Sequence, residues 1–274
     1  MFEELKPHIA DLRKRLTISF LTIIVLFFVC FAYWEPIMAW MIEPLKAVLP
    51  PTSNIIFTKV QEPLFTALKV SFFTAFVFSL PIIFWQFWLF VAPGLYENEK
   101  KLILPFVLFA TVMFVMGAAF CYYVVIPFGF KFLVNFGGQL FTALPGIGEY
   151  ISFFTKLLIG FGIAFELPVI TFFLAKLGLV SDKTLTGFFR YAIVIIFIVS
   201  ALLTPPDVLT QLLMAGPLLL LYGFSIVIAK WVNPESKEED DEGEDDEEED
   251  RKKADEEFDN DEDTDDFHKI DKTQ

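Results

Sequence analysis

The sequence predicts an all-α polytopic membrane protein with six transmembrane helices, the last two short. Three observations predict it. Hydrophobic residues make up 55% of the 274-residue chain, with 35 Phe, a composition suited to a protein solvated by lipid. Apolar runs of about 20 residues, enough to cross a hydrocarbon core ~30 Å thick, recur along the chain. Lys and Arg are unevenly shared among the loops that join those runs.

The chain opens on a polar segment, MFEELKPHIADLRKR, over residues 1–15. Arg13-Lys14-Arg15 followed by apolar residues to Tyr33 has the outline of a secretory signal. The apolar run is too long for one, however, and Trp34-Glu35-Pro36 offers no small-residue cleavage site. A retained first span over 16–34 is therefore expected. Further spans are predicted over 68–92, 102–126, 154–178, 188–203 and 208–229. The fifth is only ~24 Å long as a helix. Thr204-Pro205-Pro206-Asp207 ends it, because two prolines cannot continue a helix.

Between the first two spans, PIMAWMIEPLKAVL is apolar with sparse charge, which fits a helix along the outer interface, limited by Pro36 and Pro44. The loop predicted over 127–153 carries Gly137-Gly138 and Pro145-Gly146, both turn signals. Pro81, Pro168 and Pro217 fall inside spans and should kink them. Kinked, unequal helices suggest a concave assembly.

Charge fixes the expected orientation. Eleven Lys and Arg near the membrane fall on the side of the N-terminus and five on the other, which places both termini inside. Residues 1–233 hold 15 Lys+Arg against 12 Asp+Glu, net +3, and residues 234–274 hold 6 against 23, net −17. Two domains are thus expected: a transmembrane domain over 1–233 and an acidic, disordered cytoplasmic tail over 234–274.

Absences exclude classes of chemistry. No phosphate-binding loop is present. His8 and His268, the only histidines, lie outside the spans, and no Asp falls in the apolar centre of a span. Serine, zinc and aspartyl catalysis within the membrane are thereby removed, and the chain is expected not to be an enzyme. Cys30 and Cys121 lie in apolar segments and match no metal or redox spacing, so both read as packing residues. No metal, cofactor or nucleic-acid partner is expected.

What remains is a set of carboxylates at defined depths. Glu166 stands in KLLIGFGIAFELPVITFFLAKLG, ten residues after Lys156, about 15 Å along a helix axis. A carboxylate so deep costs several kcal/mol unless protonated or partnered, and marks a functional position. The alternative is a structural Glu bonded to a neighbouring helix of the same chain. Asp11 and Glu99 flank the inner membrane surface and suit an arginine-bearing ligand, because guanidinium pairs with carboxylate in a two-pronged geometry. On residue chemistry alone simpler readings are open. Asp11 stands four residues before Arg15, a helical pairing distance, and Glu99 adjoins Lys100-Lys101.

Four stretches in order, HIADLRKRL (8–16), FWLFVAPGLYENEKKL (87–102), FGIAFELPV (161–169) and LLTPPDVLTQ (202–211), resemble the TatC family, the polytopic core of the twin-arginine protein translocase. The resemblance covers roughly residues 7–232. It implies a concave, six-helix scaffold in the bacterial cytoplasmic (inner) membrane. That scaffold would bind twin-arginine signal peptides of folded cargo at the cytoplasmic face and recruit TatA- and TatB-like single-span partners and other TatC copies, with export driven by the proton-motive force. It implies signal-peptide roles for Asp11, Arg13, Arg15, Phe90, Pro93 and Glu99, partner-helix roles for Glu166, Asp207 and Gln211, and a structural loop role for Pro44. Asp11 stands where the family usually has Glu, one methylene shorter. The competing reading is a proton-coupled transporter of a small solute using Glu166. Such proteins often show internal repeats with paired broken helices, and the two halves of this sequence show no such match.

Overall fold

The computed structural model describes residues 2–51, 53–94, 100–101, 103–137, 141–204 and 207–232. Glu99 and the acidic tail, both assigned roles above, lie outside the described residues. Eight α-helices are described: α1 (Phe2–Ala32), α2 (Trp34–Lys46), α3 (Glu62–Val91), α4 (Ile103–Phe120), α5 (Ile126–Gly137), α6 (Ile147–Lys176), α7 (Asp182–Leu203) and α8 (Val208–Val232). A short 3₁₀ turn, Ala92–Gly94, follows α3, and a π-helical turn, Cys121–Val125, joins α4 to α5. Among the described residues, six stretches are long and apolar enough to cross a membrane: His8–Ala32, Glu62–Gly94, Ile103–Phe136, Ile147–Lys176, Asp182–Leu203 and Val208–Val232.

The number of spans agrees with the sequence reading, but several boundaries move. The third span runs on to Phe136 and α6 begins at Ile147, so most of the loop expected over 127–153 is helical. Pro127 lacks an N–H for the carbonyl four residues back. The turn before it widens instead, with the Ile126 N–H reaching the Cys121 carbonyl. The helix thus passes a proline that would otherwise end it. The fifth span begins at Asp182 rather than 188. Ser181 caps it, accepting the Thr184 N–H on its hydroxyl, and Asp182 adds a favourable charge to the first turn. Just before it, α6 ends on Gly178, whose φ of +70° suits glycine. There the Gly178 N–H bonds to the Ala175 carbonyl and the Leu179 N–H to the Leu174 carbonyl.

The chain divides into two compact units, Met1–Ile170 with Phe189–Ser225, and Thr171–Phe188 with Ile226–Gln274. In the first unit α1 packs along α3, α3 against α4, and α2 against α3 and α5. Its centre is aromatic, with Phe114, Phe154 and Phe161 buried to less than 2% exposure. Two glycines let α4 and α6 approach closely. A Cβ at Gly117 would lie 2.6 Å from the Phe161 carbonyl oxygen, and one at Gly162 would lie 2.5 Å from the Phe114 ring. Cys30 and Cys121 are both buried thiols, as packing residues should be.

Candidate functional site

At the start of α1, the helical register puts Asp11 and Arg15 on one face, and the Arg15 Nε–H donates to Asp11 Oδ2 over 2.7 Å. The local pairing legible in the sequence is thus formed. Asp11 keeps its second carboxylate oxygen for another donor, and its side chain is 35% exposed. Arg13 is exposed on the opposite side of the helix, its carbonyl accepting the Thr17 hydroxyl. Phe90 is half-buried near the end of α3, and Pro93 is exposed in the following 3₁₀ turn. Successive spans run in opposite directions, so the start of α1 and the end of α3 share a membrane face.

Glu166 sits in α6. Because that helix begins seven residues earlier than the sequence suggested, at Ile147, Glu166 is ~7 Å from the helix midpoint, toward the Lys176 end. The residue is 7% exposed, and its Oε1 has no hydrogen-bond partner among the described residues. Its neighbours on the same helical stripe, Ile163 and Ile170, are 58% and 51% exposed. The carboxylate therefore lies just beneath an outward-facing apolar ridge rather than in the centre of the core. Pro168, two residues on, has no N–H to donate to the Ala164 carbonyl of the same turn.

Asp207 and Gln211 are placed apart from Glu166. Asp207 caps α8, accepting the Thr210 N–H and hydroxyl on its two carboxylate oxygens, and Gln211 donates to the Phe197 carbonyl of α7. This end of the α7–α8 hairpin meets α6 at Gly160, where a Cβ would lie 2.7 Å from Leu203 Cδ1. Glu166 is six residues further along, ~9 Å. Both hairpin residues thus have bonds within the chain that the sequence did not disclose.

Pro44 lies in the last turn of α2, within the connection between the first two spans, and is buried. It removes the N–H that the Trp40 carbonyl would accept, and the Met41 carbonyl lies one residue on. Two tyrosines from other helices donate to these carbonyls: Tyr122 to Trp40 O at 2.9 Å and Tyr150 to Met41 O at 2.7 Å. The Tyr122 ring also stacks on the Trp40 indole, with centroids 4.3 Å apart. Nearby, Glu62 opens α3 and accepts the N–H groups of Thr58, Lys59 and Gly148 together with the Thr58 hydroxyl. It ties the loop before α3 to the start of α6, where Ile56 pairs with Gly146. Sequence reasoning missed Glu62, Tyr122 and Tyr150. A Glu at a helix start and a proline inside α2 were the available signals, but neither identifies its partner.

The family model "Sec-independent protein translocase protein (TatC)" matches residues 7–217. The chain belongs to the TatC family. It is 57% identical over 242 residues to the Sec-independent protein translocase protein TatC of Campylobacter jejuni, covering 88% of this chain and 99% of that one. Its identity to the TatC of Helicobacter pylori strain J99 is 54% over 242 residues, covering 88% and 95%. The crystal structure of a twin-arginine translocase receptor TatC superposes with a TM-score of 0.76 at 37% identity, covering 82% of this chain and 99% of that chain. These likenesses support the TatC reading over the solute-transporter alternative.

Proposed function

We propose that this TatC-family chain is the receptor and assembly scaffold of a twin-arginine protein translocase. Signal peptides dock at the face shared by the start of α1 and the end of α3, through Asp11, Arg13, Arg15, Phe90, Pro93 and Glu99. That face is cytoplasmic, with both termini inside the bacterial inner membrane, as the excess of Lys and Arg supports. Asp11 offers an incoming guanidinium its free oxygen, or exchanges Arg15 for it. Such an exchange conserves the ion pair and makes peptide binding readily reversible.

The observation that carries the scaffold reading is the buried, unpartnered oxygen of Glu166 beneath the ridge of Ile163 and Ile170. An unmet acceptor in hydrocarbon favours any helix that brings a polar group to it, and interhelical polar bonds contribute about 0.6–2 kcal/mol. That strength biases assembly of TatA- and TatB-like single-span partners and of further TatC copies without making it permanent. Asp207 and Gln211 support the assembly by fixing the hairpin end of α7 and α8, where a second partner surface forms. Transport itself draws on the proton-motive force, and no residue is assigned covalent chemistry. The chain comprises a membrane domain over 1–233 and an acidic tail over 234–274.

The purified protein tests the receptor role directly. It should retain a peptide bearing consecutive Arg-Arg and release its Lys-Lys counterpart, and Glu99→Lys should abolish that retention at unchanged expression. Equal retention of both peptides by the unaltered chain would contradict the proposal.

A further inference from the structure

A cavity of about 730 Å³ lies against α2. One stripe of that helix, Trp34, Met38, Ile42 and Lys46, forms a wall of it, each residue four after the last. The stripe is apolar for three residues and ends in an ammonium. Lys46 is exposed and pairs with no carboxylate among the described residues. Residues 49–51 and 53–57 line the cavity too. Of the acids closest in sequence, Glu43 does not line the cavity, and the Glu62 carboxylate is occupied by Thr58, Lys59 and Gly148.

We infer that this cavity holds an anionic phospholipid from the leaflet on the α2 side of the bilayer. Depth supports it. α2 begins two residues after the first span ends at Ala32, while Pro63 and Thr66, also in the lining, belong to the opening turns of the second span. The cavity therefore sits where headgroups give way to acyl chains. Size suits part of a lipid, one acyl chain with its phosphate, since the volume falls in the ~300–1,000 Å³ range of small-ligand sites. Chemistry selects the headgroup. The acyl chain lies along Trp34, Met38 and Ile42, and the phosphate meets Lys46. A choline headgroup would bring its own cation toward Lys46, whereas phosphatidylglycerol brings none.

Native mass spectrometry of the intact chain in detergent, titrated with phosphatidylglycerol or phosphatidylcholine, tests the site. Phosphatidylglycerol should be retained about five-fold better, the ratio expected for one interfacial cation. Lys46→Gln, at an exposed position, should bring that ratio to one while lipid is still retained. Ile42→Trp should fill the slot and displace both lipids, and Lys131→Gln, outside the cavity, should leave the preference intact. A ratio near one in the unaltered chain, or a preference that survives Lys46→Gln, would overturn the inference. Undiminished retention in Ile42→Trp would overturn it as well.

Discussion

The Tyr122 hydroxyl donates to the Trp40 carbonyl, 2.9 Å away, and that carbonyl is the one Pro44 deprives of its helical donor. Tyr122 comes from the π-helical turn ahead of Pro127, so one proline-adapted element satisfies the defect left by another. If this pairing is why Tyr122 is needed, Tyr122→Phe should cost about 1–3 kcal/mol by leaving a buried carbonyl unmet. Pro44→Ala restores an N–H to α2, so the same Tyr122→Phe change should cost less in that background. A double-mutant cycle read by thermal unfolding in detergent checks it. Equal costs in both backgrounds would show that the hydroxyl does not serve the proline-freed carbonyl.

Gly117→Ala should destabilise the chain more than Gly162→Ala. The added methyl at 117 meets backbone, the Phe161 carbonyl at 2.6 Å, whereas at 162 it meets the ring of Phe114, which can rotate. Overpacking of this kind costs about 1–3 kcal/mol. Comparative melting of the two variants decides the order.

Glu62→Ala should loosen the segments around Thr58 and Gly148, because four donors lose their acceptor together. Hydrogen exchange at the Thr58, Lys59 and Gly148 amides should accelerate, while that in the middle of α3 stays slow. Glu62→Gln should be intermediate, since its amide keeps one acceptor oxygen.

Glu166→Leu should raise thermal stability while lowering partner recruitment, because an unmet carboxylate costs the isolated chain and serves only the assembly. A fall in stability instead would show that Glu166 is held by the chain's own bonds. Melting the purified chain beside a co-purification assay separates the two effects.

The six spans were legible because apolar length is the only requirement for crossing lipid, and lipid imposes no further pattern. Where the boundaries moved, local chemistry outweighed hydropathy. DKTLTG at 182–187 is polar enough to read as loop, yet Ser181 caps it into α7. Pro127 reads as a stop, yet a widened turn carries the helix past it. The Asp11–Arg15 pair was legible because its partners are one helical turn apart. Tyr122 with Trp40, Tyr150 with Met41 and Glu62 with Gly148 were not, since each joins residues 82, 109 or 86 positions apart, and no local spacing encodes such a meeting. Glu166 stood out by residue type and depth, but its unpartnered oxygen needed three dimensions to be seen.

Photo-crosslinking from the ridge that overlies Glu166 tests the central claim most directly. With photoreactive residues at positions 163 and 170, the chain should crosslink to a co-expressed single-span partner when residue 166 is Glu, and lose those adducts in Glu166→Leu. Adducts of equal yield with either residue, or none with Glu166 in place, would contradict the claim that this carboxylate waits for a helix from another chain.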